Sequence, residues 1–213
     1  MDRNKFLNSI FFDSTNFAFS ELLKDRTPWE SVSNILEYIE KLFAASKFAP
    51  NYKERLNVHV GEGTKIHPSV DIEDGAIIGK NCTISHGAFL RGGCIIGDNV
   101  HIGHAVEIKH SILLNNSAIA HFNYIPDSII GLNVNISAGT IIADLRLDKQ
   151  NIVIKTDSGN IDTGLQKFGA AIGDNSMIGA GSIINPGTLL GKGNVVYPLK
   201  SIKGVHEDNE TLK

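Results

Sequence analysis

The sequence predicts an all-β chain built as a parallel β-helix, with a short helical segment ahead of it. Three observations carry that prediction. Aliphatic residues recur at every sixth position from Val60 onward. Ile accounts for 28 of 213 residues, 25 of them after Val58, while Gly reaches 21 and aromatics only 7%. β-Branched aliphatics and turn residues in that proportion favour short strands that turn often. Before Val58 the apolar spacing is helical instead.

Length and charge bound the function. A chain of 213 residues and 23.1 kDa holds one domain with a real core and a small appendage. With 42% apolar and 20% charged residues and a net charge of -3, the balance is that of a globular protein. A pI near 6.2 gives no support to a nucleic-acid partner. No run approaches the roughly 18 apolar residues of a membrane span, and the amino terminus shows no signal-peptide pattern. Two cysteines, Cys82 and Cys94, make neither a disulfide framework nor a zinc cluster. The expected location is cytoplasmic.

Taken in order, residues 1–57 form the helical segment. Thr27-Pro28-Trp29-Glu30 reads as a helix start, with Thr27 as N-cap, Pro28 at the first position and Glu30 closing a capping box. Trp29, Val32, Ile35, Leu36, Ile39, Leu42 and Phe43 share one face of a helix running to about Ala45. That face is either core or a docking surface for a partner. Pro50–Lys53 reads as a linker.

Residues 58–204 form the β-helix, with 205–213 as a tail. Val60, Ile66, Ile72, Ile78, Ile84, Leu90, Ile96, Ile102, Ile108 and Leu114 are six apart without exception. Val, Ile and Leu are about a quarter of the chain, so chance gives such a run on the order of once in a million. The register slips around 120–125, resumes at Ile130, Ile136 and Ile142, breaks over 145–171, and returns from Ile172 to Ile202. Position two is often Gly, and position five is small, as at Thr64, Ala88, Ala118 and Thr140. Cys82 and Cys94 occupy fifth positions and read as buried filler. Three hexads make one triangular coil, and coils stack at the inter-strand spacing of about 4.8 Å. In the break, Asn151–Lys155 alternates as a strand and Asp157–Asn160 reads as a turn. The expected structure there is a projecting hairpin that walls a site and positions Lys167.

A repeat is scaffold, so function falls to residues it does not need. At the second position the chain places Arg91, Lys109 and His121. Arg91 and Lys109 are 18 apart, one coil, and stack on one face. Two cations that close repel unless an anion lies between them or each has a carboxylate partner, for which Glu107 is at hand. Spacing alone leaves both a phosphate clamp and a solvated pair open. His121 lies two hexads on, hence on another face, and is open to a structural or a general-base role. His86 and His104 are also 18 apart, but no third ligand falls at a zinc-binding spacing, and no metal is expected.

With these residues in view, the stretch RGGCIIGDNVHIGHAVEIKHSILLNNSAIAHFNYIPDSIIGLNVNISAGTI resembles the acetyltransferase half of the bifunctional bacterial glucosamine-1-phosphate N-acetyltransferase and UDP-N-acetylglucosamine pyrophosphorylase family. ADLRLDKQNIVIKTDSGNIDTGLQKFGAAIGD looks closer still to archaeal-type sugar-1-phosphate nucleotidylyltransferases with the same second domain. The resemblance spans about 58–203 and implies a left-handed β-helix, which composition and spacing do not show. It implies acetyl transfer from acetyl-CoA to the amine of a hexosamine 1-phosphate, in a homotrimer with sites between subunits. It further implies His121 as general base, Arg91 and Lys109 as phosphate ligands, Tyr124 and Lys167 as further sugar-phosphate contacts, and Asn135 as a contact that orients the amino sugar. The Ala138 amide matches an oxyanion donor, and Ala138, Asp144 and Ala180 fall at the expected CoA site.

Two departures stand out. Asp144-Leu145 replaces the bacterial Asn-Tyr, and Ala180 replaces a Ser that contacts CoA. Residues 1–57 hold no nucleotide-binding loop, so nucleotidyltransferase activity is not expected. A rival reading is a non-catalytic sugar-phosphate-binding subunit that docks on a separate nucleotidyltransferase through the Trp29 helix. A third, a γ-class carbonic-anhydrase-like enzyme, would need zinc.

Overall fold

The computed structural model describes residues 3–156 and 159–213. From Val58 the chain winds as a parallel β-helix of eight coils, one for each strand of the sheet that starts at Lys65–Ile66 and ends at Thr211–Leu212. The prism has three faces. The first is that sheet. The second stacks Asp71–Ile72, Tyr124–Pro126, Ile141–Ile142, Ile183–Ile184 and Ser201–Ile202 with the first halves of two long strands, Phe89–Ile96 and Glu107–Leu113. The third stacks Val58–Val60, Ala76–Ile78, Ile129–Ile130, Ala170–Ile172, Thr188–Leu190 and Val205–His206 with the second halves of those two.

The interior is a column of stacked aliphatics. Ile84, Ile102, Ile119, Ile136 and Ile178 lie directly above one another in the first sheet and are at most 1% exposed. Each such side chain contributes roughly 1.5–3 kcal/mol by leaving water. Cys82 and Cys94 are buried in the same core as the sequence predicts, and burial pushes the Cys94 thiol up to about 12.

The register differs from the sequence reading at two places. The interior residue after Ile108 is Leu113, five residues on; Leu114 faces outward. The small interior residue that follows is therefore Ser117, not Ala118, and His121 sits in the third position of its hexad, not the second. A second five-residue step joins Ile125 to Ile130. Both shortenings fall at the edge between the second and third faces. There Arg91-Gly92-Gly93-Cys94 in one coil is matched by Lys109-His110-Ser111 in the next. His110 and Asp127 take φ of 47° and 43° at these tight corners, a conformation disfavoured for L residues. The same edge of the next coil opens into the long excursion between Ile142 and Ala170.

The third face is covered. Paired aliphatics recur once per coil at Ile77-Ile78, Ile95-Ile96, Ile112-Leu113, Ile129-Ile130, Ala171-Ile172 and Leu189-Leu190; the second of each pair fills the prism and the first points out. The outward set is buried by the amino-terminal segment, chiefly Phe11, Phe17, Trp29, Val32, Ile35 and Ile39. Trp29 also meets Phe168 edge-on at 6.2 Å. Trp29, Val32, Ile35, Ile39 and Leu42 of the stripe are thus core, while Leu36 stays 45% exposed. The helix itself is two, Pro28–Ser33 and Ile35–Ala44, broken where the Asn34 amide donates to the Glu30 carbonyl at 2.6 Å. The capping box of Thr27 and Glu30 forms as the spacing predicts, with the Thr27 amide donating to Glu30 at 2.8 Å.

The excursion contains an antiparallel hairpin, Val153–Thr156 with Gly159–Asp162. Asp157 and Ser158, which the sequence places in its turn, lie outside the described residues. The hairpin does not project. Ile152 and Ile154 are 1% exposed and join the covering layer, so the alternation that reads as a strand buries one side on the third face. Among the described residues, no helix is long and apolar enough to cross a membrane.

Because Ile112 and Phe168 are wholly buried between prism and cover, Phe168→Ala should cost about 3–5 kcal/mol and Ile112→Ala about 2–5 kcal/mol in urea unfolding. A bare solenoid face would leave Ile112→Ala within about 0.5 kcal/mol of wild type.

Candidate functional site

Two edges of the prism carry the residues singled out by sequence. The edge between the first and second faces holds one column, in which the residue two after each interior aliphatic sits at a turn. Coil by coil it reads Pro68, His86, His104, His121, Ala138, Ala180 and Pro198. The Gly139 amide donates to the His121 carbonyl at 2.9 Å, and the Gly181 amide to the Ala138 carbonyl at 2.9 Å. His121, Ala138 and Ala180 are therefore successive steps of one ladder. Gly103 makes room for this arrangement: a Cβ there would lie 2.8 Å from His121 Nδ1 and 2.0 Å from the Ala120 carbonyl oxygen.

Above His121 the histidines stack. His86 and His104 lie nearly parallel at 4.8 Å, His104 and His121 are tilted by 40° at 4.7 Å, and His67 meets His86 edge-on at 5.7 Å. Burial, then His121 and His86, hold the His104 pKa below its ordinary value. Among the described residues, no three His, Cys, Asp or Glu side chains converge as metal ligands. Phe122, 61% exposed, packs edge-on to His104 at 4.4 Å.

The second face and its far edge hold the cations. Arg91 and Lys109 are register partners in adjacent coils, as their spacing predicts. Each has a carboxylate partner. Arg91 Nη1 donates to Glu107 Oε1 at 2.8 Å, and this bond raises the guanidinium pKa. Lys109 Nζ donates to Asp127 Oδ2 at 2.6 Å and to Asp144 Oδ2 at 3.1 Å. His110 Nδ1 lies 2.9 Å from the other Asp127 oxygen. Burial favours a neutral Asp127, but the bonds from His110, Asp144 and Lys109 outweigh it and hold its pKa at about 2. Asp144 goes the other way: burial, then its hydrogen bond to Asp127, raise its pKa above the ordinary carboxylate value. Of the two carboxyls, Asp144 therefore takes up a proton first as pH falls. Burial pulls Lys109 down, yet the two carboxylates leave its pKa raised.

Tyr124 lies on the second face between these edges, paired in register with Glu107 and Ile141. Burial, then the nearby Asp144, raise its pKa. Asn135 is exposed on the first face, between Ala118 and Met177. Lys167 is exposed at the base of the excursion, where its backbone bridges Leu145. One prism thus brings Arg91, Lys109 and Tyr124 together, sets Lys167 beside the Asp144 end of that cluster, and aligns His121 with Ala138 and Ala180; Asn135 lies on a different face. Asp127 and His110 were not singled out by sequence. Their signal is the pair of five-residue steps at one edge.

Comparison with known proteins supplies the family. The model of the GMPPB C-terminal domain matches residues 84–211, and that of the bacterial transferase hexapeptide, six repeats, matches 57–92. A Sulfurisphaera tokodaii protein described as a bifunctional sugar-1-phosphate nucleotidylyltransferase/acetyltransferase is 34% identical over 133 residues, covering 57% of this chain and 33% of that protein. The bifunctional protein GlmU of Methanococcus aeolicus is 34% identical over 155 residues, 71% of this chain and 37% of its own. The chain therefore spans about a third of the length of these relatives. Among solved structures, the acetyltransferase domain of PglB from Neisseria gonorrhoeae in complex with acetyl coenzyme A is 17% identical, covering 70% of this chain and 53% of that one with a TM-score of 0.30. The matched span takes in more than half of the sequence, so the chain belongs to the GMPPB C-terminal domain family, and its hexapeptide repeat is that of the left-handed parallel β-helix.

Proposed function

We propose that the chain is an acyltransferase that moves an acetyl group from acetyl-CoA to the amine of a hexosamine 1-phosphate. The observation that carries this reading is the edge on which His121, Ala138 and Ala180 follow one another coil by coil. His121 is exposed there, so its imidazole can take a proton from an incoming amine. The amine nitrogen then bonds to the thioester carbonyl carbon, the C–S bond breaks, and the thiolate leaves to be protonated. The Ala138 amide, at the first residue of its turn, is the donor for the oxyanion between those steps. The names of the relatives that match over 57% and 71% of this chain support acetyl transfer on a sugar phosphate.

On this reading the acceptor phosphate lies against Arg91 and Lys109, on the face adjoining the base. Both cations hold carboxylates already, so a dianion must draw Lys109 away from Asp144, the more distant of its two partners. Asn135, on the first face, completes the site only from a neighbouring prism, which favours a homotrimer with sites between subunits. Light scattering should give about three times 23.1 kDa; a monomer at micromolar concentration removes the shared site.

His121→Ala should lower kcat by roughly two to four orders of magnitude with acceptor binding retained. Arg91→Ala should weaken the 1-phosphate and scarcely affect the unphosphorylated amino sugar, read by calorimetry and by CoA-thiol release. Full turnover of His121→Ala rejects the base assignment. Binding of the sugar phosphate without turnover in wild type returns the non-catalytic reading.

Asp144→Asn should tighten acceptor phosphate, because it removes a carboxyl group 3.1 Å from Lys109. The same variant should change pH dependence in a fixed sense. A carboxyl with a raised folded pKa stabilises fully below its unfolded pKa and loses that contribution as pH rises through the folded one. Relative to Asp144→Asn, wild type should therefore lose thermal stability on going from pH 4 toward neutrality. Parallel stability curves would mean that Asp144 ionises normally.

A further inference from the structure

We propose that the cleft between the excursion hairpin and the last two coils is a binding site for a phosphate or pyrophosphate ester. The cleft has a volume of about 420 Å³, within the usual range of small-molecule sites. It is lined by Arg146, Val153, Lys155, Asn185, Pro186 and Lys203. It lies on the edge between the second and third faces, and the His121 column runs along a different edge.

Three cations reach this cleft from three separate segments: Arg146 from the start of the excursion, Lys155 from its hairpin strand, and Lys203 from the last coil. Arg146 is held by a fork to Asp148, with Nε to Oδ1 at 2.9 Å. Neither Lys155 nor Lys203 has an ion-pair partner among the described residues. Arg91 and Lys109 are the contrast, since each is matched by its own carboxylates. Converging cations left unmatched favour an anion from outside the chain. The two unpaired lysines suit more than one phosphate oxygen, beside a guanidinium already held by Asp148.

The rest of the lining sets the class of ligand. Val153 and Pro186 give an apolar floor. Gly204, with φ of 89°, has no atom within 4 Å of where its Cβ would be, so the wall beside Lys203 is open. An anionic end against lysines and an apolar or planar body over such a floor describe a phosphate ester better than a bare inorganic ion. The repeat itself does not need this cleft. Its lysine-bearing wall is the hairpin, whose other side is spent on Ile152 and Ile154 as cover for the third face.

Calorimetric titration with ADP and with inorganic pyrophosphate at low salt tests the site on the whole chain. Lys155→Glu with Lys203→Glu should weaken ADP by at least about tenfold, the scale of one lost charge-assisted bond. A control with the same change in net charge, Lys65→Glu with Lys80→Glu on other parts of the prism, should stay within about twofold. All four lysines lie at the surface, and unchanged melting temperatures confirm folding. No ADP binding at millimolar concentration, or an equal loss in the control, overturns the proposal. Titration with CoA then identifies the source of the phosphate. A parallel loss assigns the cleft to the phosphates of the acyl donor; unchanged CoA binding assigns it to a separate phosphorylated ligand. None of these readings involves His121 or turnover, so the cleft and the transferase stand or fall separately.

Discussion

Everything in this structure depends on parallel coils stacking in register. Once each coil lies over the last, every residue has a fixed neighbour above and below, and an interior position admits only a side chain that fills it. Ile78 over Ile96 over Leu113 over Ile130 is one such address. Length can change only where the chain turns between faces. The two one-residue shortenings and the long excursion are all confined to the edge between the second and third faces. The repeat thus tolerates invention at an edge while the sheets continue unbroken.

The third face adds a second constraint. Its strands are apolar on both sides, as in parallel sheets buried from both directions, and they require a cover. The amino-terminal segment supplies it with five phenylalanines, Trp29 and the aliphatics of two short helices. Short helices are unstable alone. Here they are held by burial on Ile95, Ile112 and Ile129, whose 17-residue spacing follows the shortened coils. The cover is thereby part of the same folding unit as the coils it covers.

How much was legible follows from the same physics. The interior repeat was plain, because Ile, Leu and Val alone fit it, and so was the stacking of Arg91 on Lys109. Leu114 was misread because Leu113 and Leu114 are both aliphatic, and periodicity cannot tell which of two adjacent Leu fills the prism. The doublets that reveal the covered face were present in the sequence, yet a search for one aliphatic in six passes over the first of each pair. Asp127 and His110 were hidden by distance: the contact with Lys109 spans 18 residues, and its partner Asp144 lies 35 away. Only the shortened corners, which bring these groups to one edge, disclose the cluster.

That cluster is continuous with the cover. The Phe168 amide donates to the Asp144 carbonyl at 3.0 Å, closing the base of the excursion. The Phe168 ring is fully buried and meets Trp29 edge-on. From the other side, Asp144 reaches Lys109 and Asp127, and the Asp127 carbonyl accepts the Gly169 amide at 2.9 Å. Both ends of the excursion are thus tied to the charged edge, while its middle is tied to the helices. A carboxyl buried beside another carboxylate stays in place only if its backbone has no freedom to move it into water. The packing of Phe168 under Trp29 supplies that restraint, which ties the ionisation of Asp144 to the docking of a helix that never touches it.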